Sequence, residues 1–259
     1  MKIKEVYDAL ERFAPLPLQE DFDNAGLQVG LTEAEVSGAL LCLDVTEQTL
    51  DEAIQLGCNL IVSHHPLIFR KLSQISDVNY VQRVVMKAIE NRVTIVSMHT
   101  NLDNARGGVN FKIAEKMGLK DVDFFVRKPG EDAGSGVMGV LKEPLSAEEF
   151  IMMLKRTFGV ACVQANELLQ RRIEKVAICG GAGSFLLDDA VAAGADAFVT
   201  GEMHYHDFFD HEQKIQICVI GHYESEQYTA EVLCEVIKTA CPEVKCHLSQ
   251  VNTNPITYL

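Results

Sequence analysis

No stretch of this chain stays apolar for the ~20 residues that a membrane span requires. The N-terminal MKIKEVYDALERFAP is an amphipathic helix pattern with charges throughout, without the continuous apolar core of a signal peptide. Basic residues are scarce: 23 Lys and Arg face 37 Asp and Glu, a net charge of −14. A duplex-binding face needs clustered Lys and Arg, so direct nucleic-acid binding is not expected. An acidic chain can still take an anionic nucleotide where a metal inverts the local charge. The eight cysteines contain no Cys-x-x-Cys pair. Most lie in apolar strand or helix patterns, where a thiol acts as a small hydrophobe. A reduced, cytoplasmic protein is therefore expected, with no membrane partner. What remains is a globular composition, 47% hydrophobic and 23% charged over 259 residues, enough for one or two cored domains.

Apolar runs alternate with helical patterns. Strands are expected at Ala39–Leu43, Leu60–Ser63, Val93–Met98, Val176–Cys179, Ala197–Thr200 and Gln216–Ile220. Helices are expected at Thr46–Leu56, Val78–Glu90, Val109–Met117, Phe185–Ala193 and Tyr228–Ala240. Ser146-Ala147-Glu148-Glu149 is a capping box that opens a helix running through Thr157. Strand, helix, strand at this spacing implies right-handed crossovers and largely parallel sheets, with ligands at the carboxyl ends of the strands. The irregular stretch Lys128–Gly136 suggests a boundary, giving lobes at 1–129 and 130–259, with the C-terminal helix able to pack back on the first.

The two halves resemble each other. LDEAIQLGCNLIVSH (50–64) sets over LDDAVAAGADAFVTG (187–201) at an offset of 137 residues. The next strands match too: His99 precedes Asp103 by four residues, and His222 precedes Glu226 by four. Two matches in the same order indicate a duplicated α/β unit.

The segment Ile61-Val62-Ser63-His64-His65-Pro66 ends an apolar strand in two imidazoles. Neighbouring strand side chains point to opposite faces. If both rings serve one site, the chain must already be leaving the sheet at His65, and Pro66 supports that. His99 with Asp103, and His222 with Glu226, leave two further strands. Any one of these histidines by itself reads as a satisfied polar residue, but three strand ends alike point to a metal site. Mixed imidazole and carboxylate donors suit Zn, Fe, Mn, Co or Ni and not an all-oxygen calcium site. Up to six donors exceed the needs of one tetrahedral ion and fit two divalent ions about 3.5–4 Å apart, the arrangement of metal-assisted hydrolysis.

Asp23-Asn24-Ala25-Gly26-Leu27-Gln28-Val29-Gly30, Ser63-His64-His65-Pro66, His99-Thr100-Asn101-Leu102-Asp103, the Gly180–Ser184 loop, Gly201-Glu202-Met203-His204 and the His222/Glu226 pair occur together and in order. In these the chain resembles the GTP cyclohydrolase I type 2 homologue family, the Ngg-interacting-factor-like proteins, over essentially its whole length. The resemblance implies two related α/β lobes with mainly parallel mixed sheets, a dinuclear metal site in the cleft between them, and a homohexamer. It implies His64, His65, Asp103, His222 and Glu226 as ligands, with His99 beside the metals. The family often carries Trp where this chain has Phe22, and Arg in the turn that reads Gly136-Val137-Met138-Gly139 here.

Other signals are weaker. Asp23-Asn24 with Gly26 and Gly30 reads as a turn with Asx hydrogen bonds; the resemblance makes it a loop lining the metal pocket. Gly180-Gly181-Ala182-Gly183-Ser184 lacks the third glycine of a dinucleotide fingerprint, so a nicotinamide cofactor is not expected, and Ser184 is placed to cap the following helix. The repeat puts Gly201 and Glu202 where His64 and His65 sit. Glu202 and His204 are thus candidates, with His99, for orienting ligands or moving protons. His206 and His211 read as residues of a solvated loop. The expected chemistry is hydrolysis of a small-molecule, nucleotide-like substrate by metal-activated water, with GTP ring opening as the candidate the resemblance supplies. The rival readings are a non-catalytic metal-binding hexameric scaffold or regulator, and a metal-cofactor assembly protein.

Overall fold

The computed structural model describes residues 1–258. Helix α1 (Ile3–Phe13) buries Ile3, Val6, Ala9 and Leu10, the one-sided stripe of an amphipathic helix. Strand β1 (Gly26–Val29), strand β2 (Ala39–Cys42), helix α2 (Glu47–Gln55) and strand β3 (Leu60–Ser63) follow. Then come helix α3 (Tyr80–Glu90), strand β4 (Thr94–Ser97) and the one-turn helix α4 (Thr100–Asp103). Thr46 caps α2 by accepting from the Thr49 amide at 3.2 Å, and Asn79 caps α3 by accepting from the Gln82 amide at 3.0 Å. These Thr and Asn side chains satisfy amides that have no partner within the helix, which is why both helices begin there.

Next come helix α5 (Val109–Met117), strands β5 (Lys120–Arg127) and β6 (Gly134–Leu145), helix α6 (Ala147–Phe158), strands β7 (Gln164–Ala165) and β8 (Ile173–Cys179), helix α7 (Leu187–Ala192), strands β9 (Ala197–Thr200) and β10 (Gln216–Val219), and helix α8 (His222–Glu226). Helix α9 (Thr229–Ala240) and strand β11 (Cys246–Leu248) end the regular structure. The capping box at Ser146 forms as expected: Ser146 Oγ accepts from the Glu149 amide at 3.2 Å while Glu149 Oε2 accepts from the Ser146 amide at 2.8 Å. Ser184 does not cap. It is the first residue of a 3-10 turn, Ser184–Leu186, that follows Gly183 and precedes α7.

The chain divides into two compact units: Met1–Ala105 with Thr229–Pro255, and Arg106–Tyr228 with the residues from Ile256 on. This differs from the split near residue 130 suggested by the irregular stretch Lys128–Gly136. That stretch contains the turn of an antiparallel β5–β6 hairpin, which the Lys128 amide closes on the Ala133 carbonyl at 2.9 Å. Gly, Pro and Asp mark a hairpin turn as readily as a linker. Helix α9 returns to the first unit, packs on α1 and leads into β11, which pairs parallel with β2.

The first unit holds a five-stranded sheet in the order β1-β4-β3-β2-β11; the second holds a six-stranded sheet in the order β5-β6-β8-β9-β10-β7. Each contains the same core. In the first, β2, β3 and β4 run parallel and the earlier β1 pairs antiparallel on the β4 edge. In the second, β8, β9 and β10 run parallel and the earlier β7 pairs antiparallel on the β10 edge. The sequence repeat is thus a topological repeat. Every residue of β2, β3, β4, β9 and β10 is buried, as in parallel strands covered on both faces. One core gathers Leu40, Leu50, Ile61, Val84 and Ile95; the other gathers Ala177, Leu187, Phe198, Ile217 and Val219.

Candidate metal centre

On the first unit, the donors follow the carboxyl ends of β3 and β4. Past Ser63 the backbone keeps two more ladder bonds, from the His64 amide to the Cys42 carbonyl at 3.2 Å and from the His65 amide to the Leu43 carbonyl at 2.9 Å. The hydroxyls of Ser63 and Ser97, both fully buried, then bind the His65 carbonyl at 2.8 and 3.3 Å. These two hydroxyls hold the chain where it leaves the sheet. They answer how adjacent residues serve one site: the ring centroids of His64 and His65 are 5.0 Å apart. His99 joins them at 5.2 and 5.5 Å. One ligand atom from each of the three rings lies within 4.8 Å of the other two, close enough for a common ion. The single turn of α4 carries Asp103 back to the cluster, with Oδ1 3.6 Å from His64 Nε2.

Each ring of this triad is oriented through Nδ1. His64 Nδ1 lies 2.8 Å from the Met98 carbonyl, His65 Nδ1 2.7 Å from Asp44 Oδ1, and His99 Nδ1 2.8 Å from Asp23 Oδ1. The oxygens can only accept, so Nδ1 is the donating nitrogen of each ring, and a ring that gives up its Nε2 proton offers that nitrogen, the one a metal takes. Asp23 also accepts from the Thr100 amide at 3.0 Å and from the Thr100 hydroxyl. Burial pushes its carboxyl up, but the hydrogen bonds and charge of His99 and the bonds from Thr100 outweigh that and hold it at about 2. The Asp23-Asn24 loop is therefore built into the support of His99. Asp44 is not among the residues that the sequence motifs single out. The signal that could have found it is its place just after β2, next in the sheet to β3.

On the second unit, Gly221 turns the chain out of β10 at φ +102° and α8 begins. His222 Nδ1 lies 2.9 Å from Glu202 Oε1, and His222 Nε2 lies 3.1 Å from Glu226 Oε2 one turn on. His222 thus repeats the pattern of the triad, with Glu202 in the orienting position. Glu226 is 4% exposed. Room for it comes from the Gly180–Ser184 loop: a methyl group on Gly181, whose φ is +59°, would lie 2.4 Å from Glu226 Oε1. The Gly181 amide donates to Ser225 Oγ at 3.0 Å and its carbonyl accepts from the amides of Gly201 and Glu202 at 2.9 Å each. The glycines of this loop make room for the carboxylate. Glu202, His204 and His222 also line a cavity of about 400 Å³ within this unit, closed on other sides by Cys162, Ile256 and Tyr258. No lysine or arginine is among its lining residues. His204 is exposed at the start of a 3-10 turn, its amide donating to Asp207 Oδ2 at 3.0 Å; His206 is exposed and His211 half-buried on the same loop.

The sequence profile of Duf34/NIF3 (NGG1p interacting factor 3) matches residues 1–255. The chain belongs to that family. A protein of Clostridium perfringens named GTP cyclohydrolase 1 type 2 homolog is 36% identical over 228 residues, 87% of each chain. A protein of the same name from Clostridium acetobutylicum is 30% identical over 265 aligned positions, covering 100% of this chain and 99% of its own. Among solved structures, a Staphylococcus aureus protein superposes with a TM-score of 0.91 at 28% identity, over 100% of this chain and 99% of its own. Among the described residues no helix is long and apolar enough to cross a membrane. None of the eight cysteines is in a disulfide. Burial pushes the Cys42 and Cys218 thiols well above their ordinary range, as in packed hydrophobes.

Proposed function

We propose that this chain is a metal-dependent hydrolase. In this reading two divalent ions are held per chain, with His64, His65 and Asp103, and His99 beside them, as donors on the first unit and His222 with Glu226 as donors on the second. The observation that carries it is the orientation of four histidines. Each Nδ1 meets a carboxylate or carbonyl oxygen at 2.7–2.9 Å, which readies Nε2 as a donor. A divalent ion bound by this set supplies a Lewis acid and a water of lowered pKa at neutral pH. Asp44, Asp23 and Glu202 keep the rings in place, and Asp103 and Glu226 supply negative charge that favours a cation. Glu202 and His204, on the wall of the cavity, are placed to take up and return a proton during turnover.

The substrate is a small molecule. The names of the relatives suggest GTP, and release of formate from its opened imidazole ring is the reaction to assay. One observation favours a second reading of the substrate. The cavity beside His222 is lined by Glu202 and by no cation, so nothing of the protein there neutralises a triphosphate. A nucleoside or other unphosphorylated ring compound fits that lining better. In this proposal the protein acts as a homohexamer. The deciding experiment is metal content per chain after purification without chelator, followed by formate release from GTP and from guanosine with and without chelation. Two ions per chain with chelator-sensitive release from either compound supports the hydrolase. Two ions with no turnover moves the weight to a scaffold or metal-cofactor assembly role, and absence of metal overturns the site.

A further inference from the structure

Beside the histidine triad two large apolar rings are left in solvent: Phe22 is 68% exposed and Phe69 47%. The rings meet edge to face, with centroids 6.4 Å apart and 65° between planes. Phe69 in turn meets the His99 ring at 6.1 Å and 90°. Single exposed aromatics on loops are ordinary. These two differ in how firmly the chain beside them is held. Asp23, next to Phe22, accepts from His99 Nδ1 at 2.8 Å, the Thr100 amide at 3.0 Å and the Thr100 hydroxyl. Ile68, next to Phe69, gives its carbonyl to Asn24 Nδ2 at 2.6 Å and its amide to Gln28 Oε1 at 3.1 Å. The two loops are thus tied to each other and to the support of His99, and the rings they carry stand in solvent.

We propose that Phe22 and Phe69 form an aromatic platform that receives a planar unsaturated ring of the substrate beside His99. This rests on the metal-dependent reading above, and it adds the residues that receive the ring. A ring edge or face laid on the Phe pair completes an aromatic cluster whose quadrupoles prefer edge-to-face and offset contacts, a preference that a saturated ring of equal size does not share. Phe22 and Phe69 are binding residues in this proposal and take no part in proton transfer.

The test uses the full chain loaded with Zn and three hydroxamates that share one metal-chelating head. Benzohydroxamate and cyclohexanecarbohydroxamate differ in the ring alone, and acetohydroxamate has none. Calorimetric titration is expected to give benzohydroxamate about fivefold tighter than its saturated counterpart, the size of a single aromatic pairing. In the double variant Phe22→Leu/Phe69→Leu the ratio falls to about one while acetohydroxamate binds as before. Equal affinities in the wild type, a comparison that needs no variant, overturn the platform and leave the metal reading intact. So does a ratio that survives in the double variant, and so does a double variant that changes its mass by light scattering with the ratio unmoved, which assigns the rings to contact between copies. Failure of acetohydroxamate to bind removes the metal reading instead. The platform is then decided by the ring protons of Phe22 and Phe69 in metal-free protein titrated with guanosine: upfield ring-current shifts support it, and their absence overturns it.

Discussion

Asp44 and His65 form a directly hydrogen-bonded pair in the candidate metal centre: Asp44 Oδ1 accepts the proton of His65 Nδ1 at 2.7 Å, and Asp44 Oδ2 accepts the Thr253 hydroxyl at 2.5 Å. One carboxylate thereby fixes the tautomer and the tilt of an imidazole and is itself held by a hydroxyl. Carboxylates that orient metal-bound histidines are worth about 10–100-fold in metal affinity. Asp44→Ala is accordingly expected to weaken Zn binding by about that factor while far-UV circular dichroism stays as in the wild type. A competition titration against a chromophoric chelator measures it, and unchanged affinity removes Asp44 from the support of the site.

Asp103 and Glu226 are expected to act on metal content directly. Asp103→Ala and Glu226→Gln should each purify with reduced metal by elemental analysis, with melting of the chelated protein changed by only a few degrees for Asp103→Ala. Glutamine keeps the volume at the buried position and removes the charge that a cation needs. Full occupancy in both variants would sink the ligand assignment.

Acid should report on Asp23. Its folded carboxyl titrates at about 2 and its ordinary value is 3.8. The folded value is the lower one, so the stabilisation is complete above the ordinary value and is lost as pH falls from near 4 toward 2. A shift of this size corresponds to about 2 kcal/mol at neutral pH. Urea midpoints of chelated protein across this window should fall steeply for the wild type and more gently for Asp23→Asn, with the two curves converging at the acid end.

Two glycines separate strain from contact. Gly181 and Gly194 have φ of +59° and +76°, but an added methyl meets Glu226 Oε1 at 2.4 Å in the first and nothing within 4 Å in the second. Gly194→Ala should cost only the backbone strain, about 1 kcal/mol. Gly181→Ala should cost about 2–3 kcal/mol and lower metal content as well, because Glu226 must move. Chemical denaturation with metal analysis on both proteins checks this; equal losses would mean that the loop does not position Glu226.

The local elements were legible. The strand at Leu60–Ser63, the helix at Val109–Met117 and the strand at Ala197–Thr200 fall on the expected residues, because continuous apolar runs and helical periodicity are local signals. The β5–β6 hairpin was not. Its turn carries Pro129, Gly130 and Asp132, the residues of a linker, and pairing between strands on either side of it is not a local property. At Ser184 the local pattern favours a capped helix, since Ser before an apolar run is the ordinary cap, but a 3-10 turn follows Gly183 in the crowded loop under Glu226.

The sequence by itself determined the candidate donor types, their order and their duplication: His99 and Asp103, then His222 and Glu226, each following a strand whose apolar run dictates burial. It also marked the place where the chain must leave the sheet, since Pro66 cannot continue it. Only the tertiary structure decided which group holds each ring. Asp23 and His99 are separated by 76 residues, as Asp44 and Thr253 are by 209, and no local pattern reports such pairings. They follow from how strands pair into a sheet and bring their carboxyl ends together, because a hydrogen bond depends on distance and direction in space and not on separation along the chain.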